Sequence, residues 1–514
     1  MNWKSWTLDP TSDFRLRGDS FHCPSILPSV CGYLPSCSRI DETRSHGGYR
    51  GQEFIRMKIL LTTHVFLPEY FGGTETLVLG VALALKQRGH NVTVVTGYPE
   101  KDKPGDINQF DEYEVDSIRV IRFRHGRTAL GDQSSVMRND YDNPVFEARF
   151  RQLLSEIEPD VVHFHHLERL SIKAVDACKD RKIPAFLTAT DFWYVCPAHT
   201  LLLPNGNMCD GPANGGANCL KHLTSISQPK WVAGILNSIP TGVVEGIMYG
   251  LKRTNAKLLG RFGDVQALAR RSEIIGARLL LLERIFVASS HAQRMLETAG
   301  IIGGKFRVLP FGIKNHGYVK RIRQRTDRPL VLGFIGSMLP HKGLHILVEA
   351  SRLLPTDAAV KIKIYGKSPV GDSAYIKDLR MLAQGDERIK FYGTFENARM
   401  PAILDGIDAL VIPSLWHENM PLVSLSAQAA GCPLIASDIG GLSDVINPGK
   451  NGLLFSPGSP SGLAQMIMCL LDDHDLLEKL SGAAVRPMDI DQYVDELELE
   501  YRKSIGEMDL MVCL

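Results

Sequence analysis

Residues 57–97 read MKILLTTHVFLPEYFGGTETLVLGVALALKQRGHNVTVVTG. The apolar run Met57–Thr63 has strand length. It leads through Pro68 and the Gly72-Gly73 pair into a segment whose Leu77, Val81, Ala84 and Leu85 recur at helical spacing. Gly89 suits the position just past a helix end, and Val92-Thr93-Val94-Val95 starts a second strand at once. Strand, amphipathic helix and strand in this order are the signature of a parallel sheet with crossover helices.

The pattern continues outward. Further strands are expected at Arg119–Phe123, at Val161–Phe164 after Pro159-Asp160, at Ala185–Thr188 after Pro184, and at Ile285–Ala288. A fresh series starts at Leu330–Gly336 and runs through Val360–Tyr365, Ile389–Tyr392, Ala409–Pro413 and Pro433–Ala436. The basic, proline-containing stretch Lys320–Pro329 suits a linker between the two series. The expected fold class is therefore α/β, with two Rossmann-like domains facing across a cleft: 57–318, 319–485, and a final segment 486–514. Residues 1–56 lack period 2 and period 3.6, which leaves them a non-core extension and makes Met57 the expected natural start.

A chain of 514 residues exceeds one ordinary domain. With 58 Lys plus Arg against 57 Asp plus Glu it has no basic footprint, which argues against nucleic acid as a partner. No run approaches the roughly 20 apolar residues that span a bilayer, so a cytoplasmic location is expected. Ten cysteines are too dilute for a disulfide scaffold, which turns attention to any that cluster.

Ligands of open α/β sheets bind outside the carboxyl ends of the strands, so the loops there carry the chemistry. Phe71-Gly72-Gly73-Thr74-Glu75 allows close backbone approach to a ligand at a helix start. Gly336-Ser337-Met338-Leu339-Pro340-His341-Lys342-Gly343 places a lysine at the same kind of transition, suited to a diphosphate. In Pro413-Ser414-Leu415-Trp416-His417-Glu418-Asn419-Met420-Pro421, Pro421 fits the first position of a helix that Gly431 ends. Glu418 thus lies just ahead of a helix N-terminus as an acceptor for sugar hydroxyls. Ser437-Asp438-Ile439-Gly440-Gly441 offers a further glycine pair, with donors aimed at the cleft.

In the loop beyond Thr188, Cys196, Cys209, Cys219 and His222 form a candidate structural zinc site, with His199 competing as fourth ligand and free thiols or a Cys196–Cys209 disulfide as alternatives. His163, His165 and His166 follow a strand and are candidates for the acceptor side. Trp231–Tyr249 is apolar and followed by Lys252, Arg253, Lys257 and Arg261. That pattern fits either peripheral membrane association or a buried helical excursion.

Taken together, Gly72-Gly73-Thr74-Glu75, the Gly336–Gly343 loop, the Glu418–Gly431 segment, Ser437–Gly441 and Val308–Ile313 resemble family 4 of the nucleotide-sugar-dependent glycosyltransferases, over about residues 57 to 480. The resemblance implies the GT-B fold and a transferase that retains anomeric configuration without a catalytic divalent metal. It implies a nucleotide-sugar donor and a carbohydrate or lipid-linked acceptor, as in cell-envelope polysaccharide synthesis. Lys342 would bind the donor diphosphate and Glu418 the transferred sugar. Gly73, Ser337, Asn419, Met420, Ser426 and Gly441 would line the donor site, and Gly72, His165 and Asp191 the acceptor side. The segment around Tyr493–Arg502 would be a helix packing back on the first domain. Three positions depart from the family pattern: Ser426 replaces a ribose-binding glutamate, Ser337 an arginine, and Thr190 a histidine. The alternatives are a non-catalytic paralogue that binds a sugar nucleotide or a partner enzyme, and a nucleotide-sugar epimerase or hydrolase.

Overall fold

The computed structural model describes residues 56–98, 110–124, 135–203, 205–254, 263–367 and 374–506. The chain from Met57 onward forms one compact unit. The expectations for 1–55 and for 507–514 lie outside the described residues.

Within this unit two sheets form. The first contains β1 (Lys58–Thr63), β2 (Asn91–Gly97), β3 (Phe110–Val115), β4 (Ile118–Phe123), β5 (Val161–Phe164), β6 (Ala185–Ala189), β7 (Arg284–Val287) and β8 (Phe306–Val308). Their order is β3-β4-β2-β1-β5-β6-β7-β8, parallel except for the antiparallel β3/β4 pair. The second contains β9 (Leu330–Ile335), β10 (Val360–Tyr365), β11 (Ile389–Gly393), β12 (Ala409–Ile412), β13 (Leu434–Ser437) and β14 (Gly452–Phe455), in the order β11-β10-β9-β12-β13-β14, all parallel. The two series expected from the sequence thus become two doubly wound sheets. Strands β5, β6, β12 and β13 are buried along their whole length, as befits strands covered on both faces.

In each sheet the strand order reverses beside the first strand of the series: β1 lies between β2 and β5, and β9 between β10 and β12. Such switch points leave a crevice at the carboxyl ends of the strands. The helix Gly73–Gln87 leaves β1 there, buries Leu77, Val81, Ala84 and Leu85, and ends at Arg88 with Gly89 at φ +90°.

The chain passes between the sheets twice, side by side. Ile313 donates its N–H to Met488 O at 3.1 Å and accepts from Ile490 N at 2.9 Å. A Cβ on Gly312 would stand 2.5 Å from the Tyr493 Cβ, so only glycine allows this approach. The stretch Lys320–Pro329 is not the free linker its composition suggested. Arg323 is buried on the Leu404 and Ile407 carbonyls, Lys320 reaches Gly482 O and Ala484 O, and Arg328 pairs with Asp408 at 2.6 Å. Lys320, Arg321, Arg323 and Arg328 thus all bind the second half, and the passage lies earlier, at Gly312-Ile313.

The helix Ile490–Ser504 opens with a capping box between Asp489 and Gln492 and returns to the first sheet. It buries Tyr493, Val494, Leu497 and Tyr501. The Tyr501 hydroxyl meets His163 Nδ1, and Arg88 pairs with Asp495 at 2.7 Å.

Candidate active site

Lys342 ends a short turn, Pro340–Lys342, that follows β9. Gly343 then takes φ +69°, and a Cβ there would lie 1.7 Å from Pro413 O. This contact presses the lysine turn against the end of β12, from which the Pro413–Pro421 loop runs. The Lys342 ammonium donates to Glu418 Oε1 at 2.8 Å and sits 4.5 Å from the centre of the Trp416 ring. Ser414 Oγ and Trp416 Nε1 both donate to the same Oε1 at 2.7 Å. Burial works against ionisation of Glu418, but the adjacent ammonium and the three hydrogen bonds outweigh it and hold the carboxyl below its ordinary range. The result is a fixed carboxylate and a fixed cation at one point.

The carboxylate's backbone is held as firmly. Gly441 donates its N–H to Glu418 O at 2.7 Å, and a Cβ on Gly441 would stand 1.5 Å from Asn419 O. That N–H was expected to face a ligand; the structure spends it on the loop that carries Glu418. Pro421 caps the helix Leu422–Ala429, one residue before its expected position, and Gly431 follows at φ +67°.

The other expected donor-side residues divide. Ser337 is exposed in the turn after β9. Ser426 is buried on the helix Leu422–Ala429. Met420 packs its side chain into an apolar cluster shared by both halves, so only its backbone is left for a ligand. Asn419 donates Nδ2 to Ala189 O at 2.7 Å, across to the end of β6, while its buried Oδ1 has no partner.

Facing them are the carboxyl ends of β1, β5 and β6. Gly72 precedes the helix that starts at Gly73, whose Cβ position looks toward Leu422 of the other half at 4.0 Å. Asp191 is partly exposed; both its oxygens lie 3.0 Å from His166 Nε2, and it accepts Trp193 N–H at 2.8 Å. His199 links Asp191 at 3.4 Å to Glu168 at 3.3 Å. Burial disfavours its charge, but these carboxylates prevail and hold the imidazole protonated up to about 10. His165 is fully buried, its two ring nitrogens have no partner, and burial pulls it down to about 3. His163 lies beneath the returning helix, between Tyr501 and Thr188, and not on the acceptor side.

Sequence reasoning assigned no role to Ser414, Trp416 and Glu168, and weighed His199 only as a competing zinc ligand. The indole two residues before Glu418 was the available signal, since a buried carboxylate needs donors. Glu168 and His199 are brought together by left-handed residues at Arg169 and His199, which no periodicity reveals.

Two family models match in this order along the chain: Glycosyltransferase Family 4 over residues 71–206 and Glycosyl transferases group 1 over 329–473, together more than half of the 514 residues. The D-inositol 3-phosphate glycosyltransferase of Corynebacterium glutamicum is 31% identical over 180 residues, 33% of this chain and 43% of that protein. Glycogen synthase of Mycobacterium tuberculosis is 32% identical over 163 residues, 32% of this chain and 38% of that protein. The chain thus spans less than half the length of these curated relatives. Among solved structures, sucrose-phosphate synthase from Thermosynechococcus elongatus superposes with a TM-score of 0.57 at 17% identity, covering 89% of this chain and 99% of that one. Anabaena HepE in complex with UDP and glucose gives 0.56 at 16% identity, covering 87% and 100%.

Proposed function

We propose that this chain, which belongs to the family 4 glycosyltransferases of GT-B fold, moves a sugar from a nucleotide-sugar donor to a carbohydrate or lipid-linked acceptor with retention of configuration. The observation that carries the reading is the Lys342–Glu418 pair at one switch point, facing the Gly72-Gly73 turn at the other. Lys342 neutralises the diphosphate as its bond to the anomeric carbon breaks, and Glu418 orients the sugar hydroxyls. The acceptor oxygen bonds to the same face of that carbon, and its proton passes to the leaving phosphate oxygen. The step uses no divalent cation. A UDP donor is favoured by likeness to HepE, whose structures hold UDP with glucose and UDP-glucose.

A membrane-linked acceptor, as in envelope polysaccharide synthesis at the cytoplasmic face, is supported by the helices Lys230–Ser238 and Thr241–Arg253. They expose Trp231, Ile235, Val243, Ile247 and Tyr249, with Arg253 lying 4.4 Å over the Tyr249 ring. Among the described residues no helix is long and apolar enough to cross a membrane.

One observation favours a second reading, donor binding without turnover: a buried serine, Ser426, stands where the family places a ribose-binding carboxylate. Calorimetry with UDP-, GDP- and ADP-sugars, followed by NMR of the product's anomeric centre, tests both. Saturable binding with a retained-configuration product supports transfer. Binding without any product under a broad acceptor panel leaves the second reading, and no binding by folded protein removes both.

A further inference from the structure

We infer that Cys196, Cys209, Cys219 and His222 hold one structural zinc ion, which fastens the insertion after β6 to the helices that follow. The four come from three separate stretches, yet they line a single cavity of about 10 Å³, room for one ion-sized occupant. Cys219 and His222 lie one turn apart on the helix Ala217–Ser227 and so share a face. Cys209 comes from the turn beyond Gly206, and Cys196 from the turn after β6.

Local geometry around the sulfurs fits ligation. The Gly211 N–H donates to Cys209 Sγ at 3.4 Å, the kind of outer bond that steadies a thiolate ligand. Gly211 takes φ +106°, and a Cβ there would come within 3.0 Å of Val195, so the turn is built around that contact.

Independent support comes from Arg271. It is 1% exposed, bonds through Nη2 to Trp193 O, and leaves Nε and Nη1 without partners. The carboxylate of Asp140, which accepts Trp193 Nε1 at 3.0 Å, is its strongest charge partner, and the cysteine cluster lies beyond it. A buried guanidinium with unspent N–H groups is costly unless an anion adjoins it. Three thiolates and a neutral imidazole around a divalent ion leave one net negative charge, which would add to Asp140 as a second anion near the two N–H groups that have no partner.

The sole group of three His, Cys, Asp or Glu among the described residues with ligand atoms all within 4.8 Å is His166, Glu168 and His199. Its members are already spent on Asp191 and on one another, with Arg169 3.4 Å from Glu168, so a cation there would meet positive charge. The cysteine set stands wider than that, and ligation at Zn–S distances of about 2.3 Å requires the thiols to turn inward. The donor set of thiolates with one imidazole selects zinc.

The full chain, produced with a tag that binds no metal and purified without chelators, is assayed for metals by mass spectrometry. About one zinc per chain is expected, falling at least about tenfold in Cys209→Ser and Cys219→Ser and unchanged in His199→Ala. Should the cysteine variants aggregate, stepwise titration of the wild-type protein with a mercurial is expected to release zinc as thiols react, and cobalt-substituted protein is expected to show thiolate-to-cobalt charge transfer. Folded, zinc-supplied protein with less than about a tenth of an ion per chain overturns the inference. So does zinc lost in His199→Ala but kept in the cysteine variants, or a Cys196–Cys209 disulfide found by thiol counting without reductant.

Discussion

Lys342 Nζ and Glu418 Oε1 stand 2.8 Å apart although 76 residues separate them, because β9 and β12, whose trailing loops carry them, are neighbours in the second sheet. In the proposed reaction the two groups act at adjoining parts of one donor, so each is expected to depend on the other. Lys342→Ala and Glu418→Gln should each lower kcat/KM by about 100-fold or more, and the double variant should lose little beyond the worse single one. Steady-state kinetics with the best donor checks this; fully additive losses would show that the two groups act independently.

The same pair sets an acid limit. The folded pKa of Glu418 is depressed, so its contribution is present above the ordinary glutamate value of about 4.3 and disappears only as pH falls through the lower, folded value. Donor binding followed by calorimetry should therefore hold below the ordinary carboxylate range. In Lys342→Ala, which leaves the buried carboxylate without its cation, the limb should move to higher pH.

His199 behaves with the opposite sign. Its folded pKa is raised to about 10, so the stability it gives is complete below about 6.5 and is lost as pH rises through about 10. His199→Gln removes the cation that Asp191 and Glu168 share, leaving them with His166 and Arg169, and should cost about 2 kcal/mol at pH 7. In thermal denaturation the gap between variant and wild type should narrow above pH 10.

Two glycines with left-handed backbone separate a clash from a conformational preference. Gly343→Ala would drive a Cβ to 1.7 Å from Pro413 O, whereas a Cβ on Gly89, at φ +90°, meets nothing within 4 Å. Gly89→Ala should cost about 1–2 kcal/mol with kcat unchanged. Gly343→Ala should cost more and also remove donor binding, because the turn bearing Lys342 must shift. Melting curves and calorimetry on both variants decide it.

Much of this was legible in the sequence, for identifiable reasons. Buried parallel strands such as Val360–Tyr365 and Ala409–Ile412 declare themselves as apolar runs between turn formers. Strand β3 was missed because Phe-Asp-Glu-Tyr-Glu-Val sits at a sheet edge, half in water and rich in acidic side chains. Strands β8 and β14 are only 3 and 4 residues long. At the site, Lys342 and Glu418 could be named from the turn and helix signals around them. The allocation of individual N–H groups could not: whether Gly441 serves a ligand or the Glu418 carbonyl depends on how two loops distant in sequence meet. His163 shows the same limit, since its partner Tyr501 lies 338 residues away.

Glu418 and Asn419 are consecutive, yet their side chains belong to different halves of the molecule: the carboxylate is tied to Lys342, and the amide to Ala189 O at the end of β6. A single peptide unit therefore joins the proposed sugar-binding carboxylate to the spacing of the two sheets. Widening of the cleft loads the Asn419 amide together with the His291–His417 contact on the same loop, and so acts on the carboxylate through one peptide unit. On the proposed reading, affinity for the donor is expected to follow the distance between the two sheets.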